Sequence, residues 1–304
     1  MYQIGIITSN INQDWASREL LTAARTLADG DIIDPLTFEI NIDDGTPLTR
    51  VHGRSADEYD AYIIRGFNTQ GEIDYQYEVF ELLEQRGKLV INSPAGISMA
   101  ESKSQTTFLL RQAGLPVPRT VVTQNLDQAI TAMHSFGTAV IKPLYGSHGI
   151  GIERLEAGMD DELLQVFLDK YSVIYIQEFV PNEGRDIRAF VVGDDVSAAV
   201  YRIAHDGQWK TNVFLGGSCE PCELTPAIRE LCMSAVKVIG LDYTGVDVME
   251  GPDGPVILEL NGTASWHGLS KVTNRNIAMD IMSHALRMLD TGQSARQPVG
   301  FRHL

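Results

Sequence analysis

The chain has 304 residues, a net charge of −16, 44% hydrophobic residues and 21% charged ones. That length suits about two domains or one large one with substantial buried cores, in an ordinary soluble globular composition. The acidic balance argues against nucleic-acid backbones and anionic membranes, so a phosphate-bearing ligand has to be held by a local cluster of cations.

The segment MYQIGIITSN (1–10) reads as a strand, without the basic start or small-residue cleavage site of a signal peptide. The helical pattern DWASRELLTAARTLA (14–28) follows, then DIIDPLTFEI (31–40), the strand-like YDAYIIRG (59–66), the helix YQYEVFELLEQRG (75–87) and the strand KLVIN (88–92). Strands alternating with helices predict a small open α/β sheet with parallel strands, whose ligands favour the carboxyl ends of the strands. Arg65 stands at such an end and is a candidate substrate-carboxylate clamp; a solvated arginine at a strand terminus explains it equally well. Residues 93–114 read as a connector leading into a helix, closed by Gly114 and by Pro116 and Pro118.

Beyond it, VPRTVVT (117–123) and TAVIKPL (138–144) read as strands around the helix LDQAITAMHSF (126–136). SVIYIQEFV (172–180) and 186–204 continue in strand patterns, 225–240 and 276–289 are helical, and 291–304 reads as a surface arm. No apolar run approaches the about 18 residues of a membrane span. Cys219, Cys222 and Cys232 suggest no disulfide framework and fit a reducing, cytoplasmic setting. The Cys219–Cys222 spacing lacks the further ligands of a zinc site and reads as structural or incidental.

Three segments carry chemistry. The first is Tyr145, Gly146, Ser147, His148, Gly149, Ile150 and Gly151, directly after an apolar strand. Alone, such a glycine run reads first as a plain turn. Lys142, late in the apolar strand, needs solvation or an anion, and a phosphate under backbone N–H groups of the loop is an economical partner. The second is Gln177, Glu178, Phe179 and Val180, a short crossing between strands able to offer backbone groups to an adenine edge. Asp186 and Arg188 share a face of the next strand, Arg202 lies on the one after, and either arginine alone is more readily explained by a neighbouring acid.

The third segment is the hairpin 243–261, with a Gly251-Pro252-Asp253-Gly254 turn. Pairing about Asp253 puts Asp247 opposite Glu259, with Asn261 on the same face by strand alternation. Opposed carboxylates need something positive between them, and an all-oxygen donor set suits Mg²⁺. A solvated hairpin with outward acids is the competing explanation for the pair by itself.

Lys103 followed by VIKPLYGSHGIG, IQEFV, RDIRAFVVG, AVYRIA, KTN, GG, GVDVM and ILELN resembles the ATP-grasp superfamily, in particular RimK-type α-L-glutamate ligases, most strongly from Ser93 to Leu286. The resemblance implies an α/β fold, α+β in its catalytic part: an N-terminal open α/β pre-ATP-grasp domain (1–98), a small lid subdomain (99–182) and a large subdomain with the metal site (183–304). It implies that Lys103 and Lys142 bind ATP phosphates and that the loop from Tyr145 to Gly151 covers them. Glu178 and Phe179 would line the adenine site, Asp186 would reach the ribose, and Lys210, Thr211 and Asn212 would contact ATP. Asp247, Glu259 and Asn261 would hold two Mg²⁺ ions, or Mn²⁺ in their place, with Glu259 bridging. Leu215 departs from the RimK pattern, which has an arginine in that segment. The stretch from Gly262 to Thr273, with Ser265 as a candidate substrate contact, looks more like the tetrahydromethanopterin glutamate ligases.

The implied reaction is ATP-dependent acid–amine ligation through an acyl phosphate, with Arg202, Arg188 and Asn261 acting at the reacting groups. The partners expected are a small carboxylated acceptor and L-glutamate, with no nucleic acid and no membrane, in a homo-oligomer. The alternatives are a ligase that glutamylates a protein's carboxyl terminus and a non-catalytic nucleotide-binding regulator.

Overall fold

The computed structural model of the chain describes residues 1–42, 49–146, 149–205, 209–211 and 217–300. Its N-terminal part runs β1 (Gln3–Ile7), α1 (Trp15–Leu27), β2 (Asp29–Ile33), β3 (Phe38–Ile40), β4 (Thr49–Val51), β5 (Arg54–Ser55), β6 (Ala61–Ile64), α2 (Ile73–Gln85) and β7 (Leu89–Ile91). The main sheet has the order β2-β1-β6-β7 and is parallel throughout, as the alternation of patterns predicts. The chain leaves β1 for β2 on one side and returns to β6 on the other. The carboxyl ends of β1 and β6 therefore form a topological switch point, where open sheets bind ligands. The small β3-β4-β5 sheet has strands of two or three residues, too short for alternation to mark them.

The connector is two helices rather than one, α3 (Pro94–Glu101) and α4 (Lys103–Gln112), broken at Ser102. The break makes Lys103 the first residue of α4 and turns its side chain towards the glycine loop, where Nζ donates to the Gly146 carbonyl at 2.8 Å.

The middle part comprises β8 (Thr120–Thr123), α5 (Leu126–Phe136), β9 (Thr138–Lys142), β10 (Glu153–Glu156), α6 (Asp161–Tyr171) and β11 (Ile174–Glu178). They form an antiparallel sheet, β10-β9-β11-β8, with its own core of Met133, Ile141, Leu164, Phe167 and Ile176. The sequence pattern did not reveal α6. Its inward Leu164 and Phe167 alternate with exposed Leu163 and Val166, which blurs the apolar stripe.

The remainder comprises β12 (Arg185–Val192), β13 (Asp195–Ile203), β14 (Ser218–Pro221), α7 (Pro226–Ile239), β15 (Tyr243–Gly251), β16 (Gly254–Asn261), α8 (His267–Ser270) and α9 (Ile277–Thr291). The sheet β14-β13-β12-β15-β16 is antiparallel. Ile187, Val246, Val248 and Ile257 pack with α7 residues Cys232 and Val236. Phe190, Tyr243 and Trp266 join α9, α1 and the N-terminal strands in a second core. The N-terminal sheet and the β12–β16 sheet thus share one apolar interior, whereas the β8–β11 sheet keeps its own.

Asn92 fastens that shared interior. Its side-chain N–H groups donate to the carbonyls of Tyr243 at 2.8 Å and Gly262 at 2.7 Å, and its Oδ1 accepts from the amides of Asp242 at 2.7 Å and Tyr243 at 3.0 Å. The residue is fully buried. The C-terminal segment, expected as a surface arm, lies on the surface without regular structure and is tied down from Arg296 to Val299. The Arg296 amide donates to Asp242 Oδ2 at 3.0 Å, Gln297 Nε2 to Glu84 Oε1 at 3.2 Å and the Val299 amide to the Val238 carbonyl at 2.9 Å. Backbone pairing of this kind leaves no periodic signal in sequence. Among the described residues no helix is long and apolar enough to cross a membrane.

Asn92→Ala strands four buried backbone groups and should destabilise the protein by about 3 kcal/mol or more. Urea unfolding measures this, and a loss under about 1 kcal/mol would remove Asn92 from that role.

Candidate active site

The hairpin of β15 and β16 builds the site, and a β-bulge sets its register. Gly251 pairs with Gly254 and Val248 with Ile257, as in a regular two-residue hairpin. Continued unchanged, that register would place Asp247 opposite Leu258. The irregularity between Asp247 and Val248 leaves Leu258 as the extra residue, and Asp247 faces Glu259, with Gly245 facing Asn261. The predicted pairing is therefore observed, but the bulge produces it rather than a turn centred on Asp253. The bulge also brings Leu258 into the cleft beside Glu259.

Asp247 is buried, and its charge is answered by side chains. Arg188 grips it through Nε and, at 3.0 Å, Nη2, and Arg202 Nη2 lies 2.8 Å from its Oδ2. Burial works against ionisation, but the two guanidiniums outweigh it and hold the Asp247 carboxyl below its ordinary range. Arg202 also grips Asp186 through Nε at 2.8 Å and through Nη2. Gly245 is required for this arrangement, because a Cβ there would sit 2.7 Å from Arg188 Nη1 and 2.9 Å from its Cδ.

Glu259 has no such partner. Among the described residues no hydrogen bond or ion pair reaches its carboxylate. Burial and the facing Asp247 push its carboxyl up, against the pull of Lys142, Lys103 and Arg188. Asn261 turns its Nδ2 towards the Gly245 carbonyl at 3.4 Å, and its Oδ1 has no hydrogen-bond partner among the described residues. An under-compensated carboxylate beside a free amide oxygen, with a second carboxylate opposite, fits a hard divalent cation. Among the described residues no group of three His, Cys, Asp or Glu side chains gathers to hold a metal ion, so the hairpin offers two carboxylates and an amide.

Facing the hairpin across the cleft are two desolvated ammonium groups. Lys142 is 8% exposed and donates from Nζ to Gln177 Oε1 at 2.8 Å. Gln177 is itself fixed by Thr120 Oγ1 and the Tyr175 hydroxyl, each at 3.0 Å, so it positions the lysine instead of meeting a ligand edge. Burial lowers the Lys142 and Lys103 ammonium pKa values, with Glu259 pulling both back up. One buried and one half-buried cation whose hydrogen-bond partners are neutral oxygens form an anion site.

The cleft continues between the β8–β11 sheet and the β12–β16 sheet, lined by Val140, Ile152, Phe179, Trp209, Met249 and Leu258. Phe179 lies edge-on to Trp209 at 6.0 Å and carries Arg154 over its face at 4.4 Å. The amides of Glu178 and Phe179 are already committed to the carbonyls of Arg119 and Thr138. The Glu178 carboxylate pairs with Arg119 at 2.8 and 2.9 Å. Phe179 thus brings its ring to the cleft, and of the backbone groups of Gln177–Val180 expected at an adenine edge, the amides of Glu178 and Phe179 are engaged within the fold. Val180, Lys210 and Thr211 line the same wall. Asp186 lines it too, but spends its oxygens on Arg202 rather than standing free for a ribose.

A second cavity, of about 970 Å³, adjoins the first and shares Lys103, Gly146, Arg202, Leu258 and Glu259 with it. Tyr145, Arg188, Asn261, Arg65 and Ser265 line this side alone. Gly149 lines the first cavity, and Gly151 has φ +72° in a position where a Cβ would lie 2.7 Å from the Tyr171 hydroxyl. Ser147, His148 and Asn212 lie outside the described residues. Sequence reasoning missed Trp209, Leu258, Met249 and the positioning role of Gln177; only proximity to Lys210 marked the tryptophan.

Because the folded protein holds the Glu259 carboxyl above its ordinary value, ionising it costs stability once pH exceeds the unfolded glutamate range. Glu259→Gln should therefore raise Tm of the ligand-free protein at neutral pH, with the advantage vanishing as pH falls below about 4. Thermal melts across pH test this; a variant less stable than the parent at pH 7 would contradict the assignment.

The RimK-like ATP-grasp domain model matches residues 100–285. The chain is 41% identical over 238 residues to the tetrahydromethanopterin:α-L-glutamate ligase of Methanocaldococcus jannaschii, covering 76% of this chain and 80% of that protein. It is 33% identical to the protein of the same name from Methanosarcina acetivorans, over 95% of this chain and 100% of that one. A probable α-L-glutamate ligase of Vibrio vulnificus is 33% identical over 82% of this chain and 83% of its own. Among solved structures, the ATP-grasp ligase PsnB complexed with minimal precursor, Mg and ADP superposes with a TM-score of 0.76 at 22% identity, over 94% of this chain and 98% of that one. A RiPP-associated ATP-grasp ligase of Chryseobacterium gregarium gives 0.74 at 18% identity, over the whole of both chains. With these matches and the Lys103–Lys142–hairpin geometry together, the chain belongs to the RimK-like ATP-grasp family and is an ATP-dependent acid–amino-acid ligase.

Proposed function

We propose that this ligase adds L-glutamate to a small carboxylated acceptor of the pterin-cofactor type, drawing the phosphoryl group from ATP. The carrying observation is that two cavities meet at one point, where Glu259, Lys103 and Arg202 line both. A nucleotide in the first cavity would present its terminal phosphate to the second, where acceptor and amine have room. The tetrahydromethanopterin ligases among its relatives supply the acceptor class.

The chemistry divides into two displacements. The acceptor carboxylate attacks the γ-phosphorus, the bond to the bridging oxygen breaks and ADP leaves. The glutamate amine then attacks the acyl carbon, phosphate departs with the bonding pair, and the amine proton is lost to solvent. Lys142 and Lys103 would neutralise phosphate oxygens. Arg188 and Arg202 have their Nε–Nη2 edges tied to Asp247 and Asp186, and would reach the acyl phosphate and oxyanion through Nη1. Asp247, Glu259 and Asn261 would hold Mg²⁺, two ions with Glu259 shared, supplying positive charge at the transferring phosphoryl group. The loop from Tyr145 to Gly151 would exclude water, whose attack on the acyl phosphate is the wasteful alternative. Phe179 and Trp209 would enclose the adenine ring. Three unpaired thiols suit a cytoplasmic, reducing setting.

Incubation with ATP, Mg²⁺, L-glutamate and tetrahydromethanopterin should add a glutamyl mass to the pterin, and Glu259→Ala should lower kcat at least about a hundredfold. A mass gain found only on a protein acceptor, or near-normal turnover of the variant, would refute the reading. Trp209→Ala should weaken ATP binding about tenfold, seen as a rise in KM for ATP with little change in KM for glutamate.

A further inference from the structure

An arginine recognises a carboxylate best through its Nε–Nη2 edge, which donates two parallel hydrogen bonds. Three arginines line the second cavity, and two of them use that edge on the protein's own acids: Arg188 on Asp247 and Arg202 on Asp186. Arg65 is held differently. Its Nη1 donates to the Ala264 carbonyl at 2.8 Å and to the Tyr243 hydroxyl at 3.3 Å, and its guanidinium lies 5.4 Å from the centre of the Trp266 ring.

Those contacts fix the plane and rotation of the group through Nη1, while on the opposite edge the buried Nε faces Asp14 without a hydrogen bond and Nη2 has no partner among the described residues. The nearest acid, Asp14, has Oδ2 at 3.6 Å, and its carboxylate is occupied in capping α1 at Ala16 and in binding Ser17. Arg65 is only 7% exposed, so an unfilled edge there is costly and a ligand group that fills it is favoured. The residue directly follows β6, at the switch point of the parallel sheet. It lines the second cavity alone, away from the junction at Glu259.

We propose that Arg65 binds a carboxylate of a small-molecule substrate that takes no part in the reaction, the ligand meeting Nη2 and displacing Asp14 from Nε. This deepens the ligase reading and rests on it for the identity of the substrates. The carboxylate belongs either to the incoming amino acid or to the acid acceptor, and kinetics separate the two.

Arg65→Lys keeps the charge and loses the fork. It should raise KM for one of the two substrates roughly 10- to 100-fold, far more than it lowers kcat, with KM for ATP unmoved. The substrate affected is the source of the carboxylate. Asp14→Asn retains a good helix cap and removes the competing anion, so the same constant should fall several-fold. Independently of turnover, titrating the ATP-free protein with L-glutamate and with glutarate should change tryptophan fluorescence in the parent and not in Arg65→Lys. If no ligation is detected but that binding signal appears and is lost in the variant, the carboxylate site stands and the ligase reading falls. Should Arg65→Lys fail to fold, Asp14→Asn decides by the sign of its effect. Constants unchanged in the folded variants, or no dicarboxylate binding by the parent, would overturn the proposal.

Discussion

Two carboxylates set directly against each other on a buried sheet face, Asp247 and Glu259, govern how the rest of the site is arranged. Their mutual repulsion has to be answered by positive charge, and the protein answers it unequally. Asp247 receives two guanidiniums at hydrogen-bond distance, while Glu259 receives only the more distant field of Lys142, Lys103 and Arg188. The neutralised acid anchors the arginines. The under-neutralised one keeps an attraction for any cation that enters, and the lysines opposite keep one for any anion. A metal–phosphate pair satisfies both deficits at once.

The same inequality shapes the neighbouring sequence. Gly245 is kept free of a side chain so that Arg188 can cross β15, and the bulge at Leu258 re-aims β16 so that Glu259 meets Asp247 instead of turning into the α7 core. A one-residue slip would exchange the two faces of β16. The chain tolerates the packing defect of a bulge at the place where face identity matters most.

Much of this was legible beforehand, for reasons that particular residues make plain. Alternation about an assumed centre at Asp253 paired the acids correctly, although the Gly251–Gly254 turn that forms reaches that pairing only through the bulge at Leu258. Lys142 stood out because a lysine within Val-Ile and Pro-Leu has nowhere bland to go. The bulge itself was not legible, because nothing in Ile257-Leu258-Glu259 distinguishes a paired residue from an extra one. Gln177, Asn92 and Trp209 act through partners far away in the chain, such as Lys142, Tyr243 and Phe179, and sequence spacing carries no information about such meetings. The break at Ser102 was hidden for a similar reason: residues on either side have acceptable helix propensity, and tertiary packing decides where the axis turns.

The shared interior joined by Asn92 has a mechanical consequence. With Arg65 tied to Tyr243 and Ala264, and Asn92 tied to Tyr243 and Gly262, the crevice of the first sheet and the acidic hairpin behave as one rigid jaw. The sheet that carries Lys142 has a separate core and meets this jaw through fewer ties, among them Lys103 to the Gly146 carbonyl and Thr107 to the Tyr175 hydroxyl. If Arg65 and Glu259 hold opposite ends of the bound substrates as proposed, the span between them would act as a ruler set by that jaw. A substrate too short to bridge that span loses one of its two anchors, however tightly the nucleotide side closes.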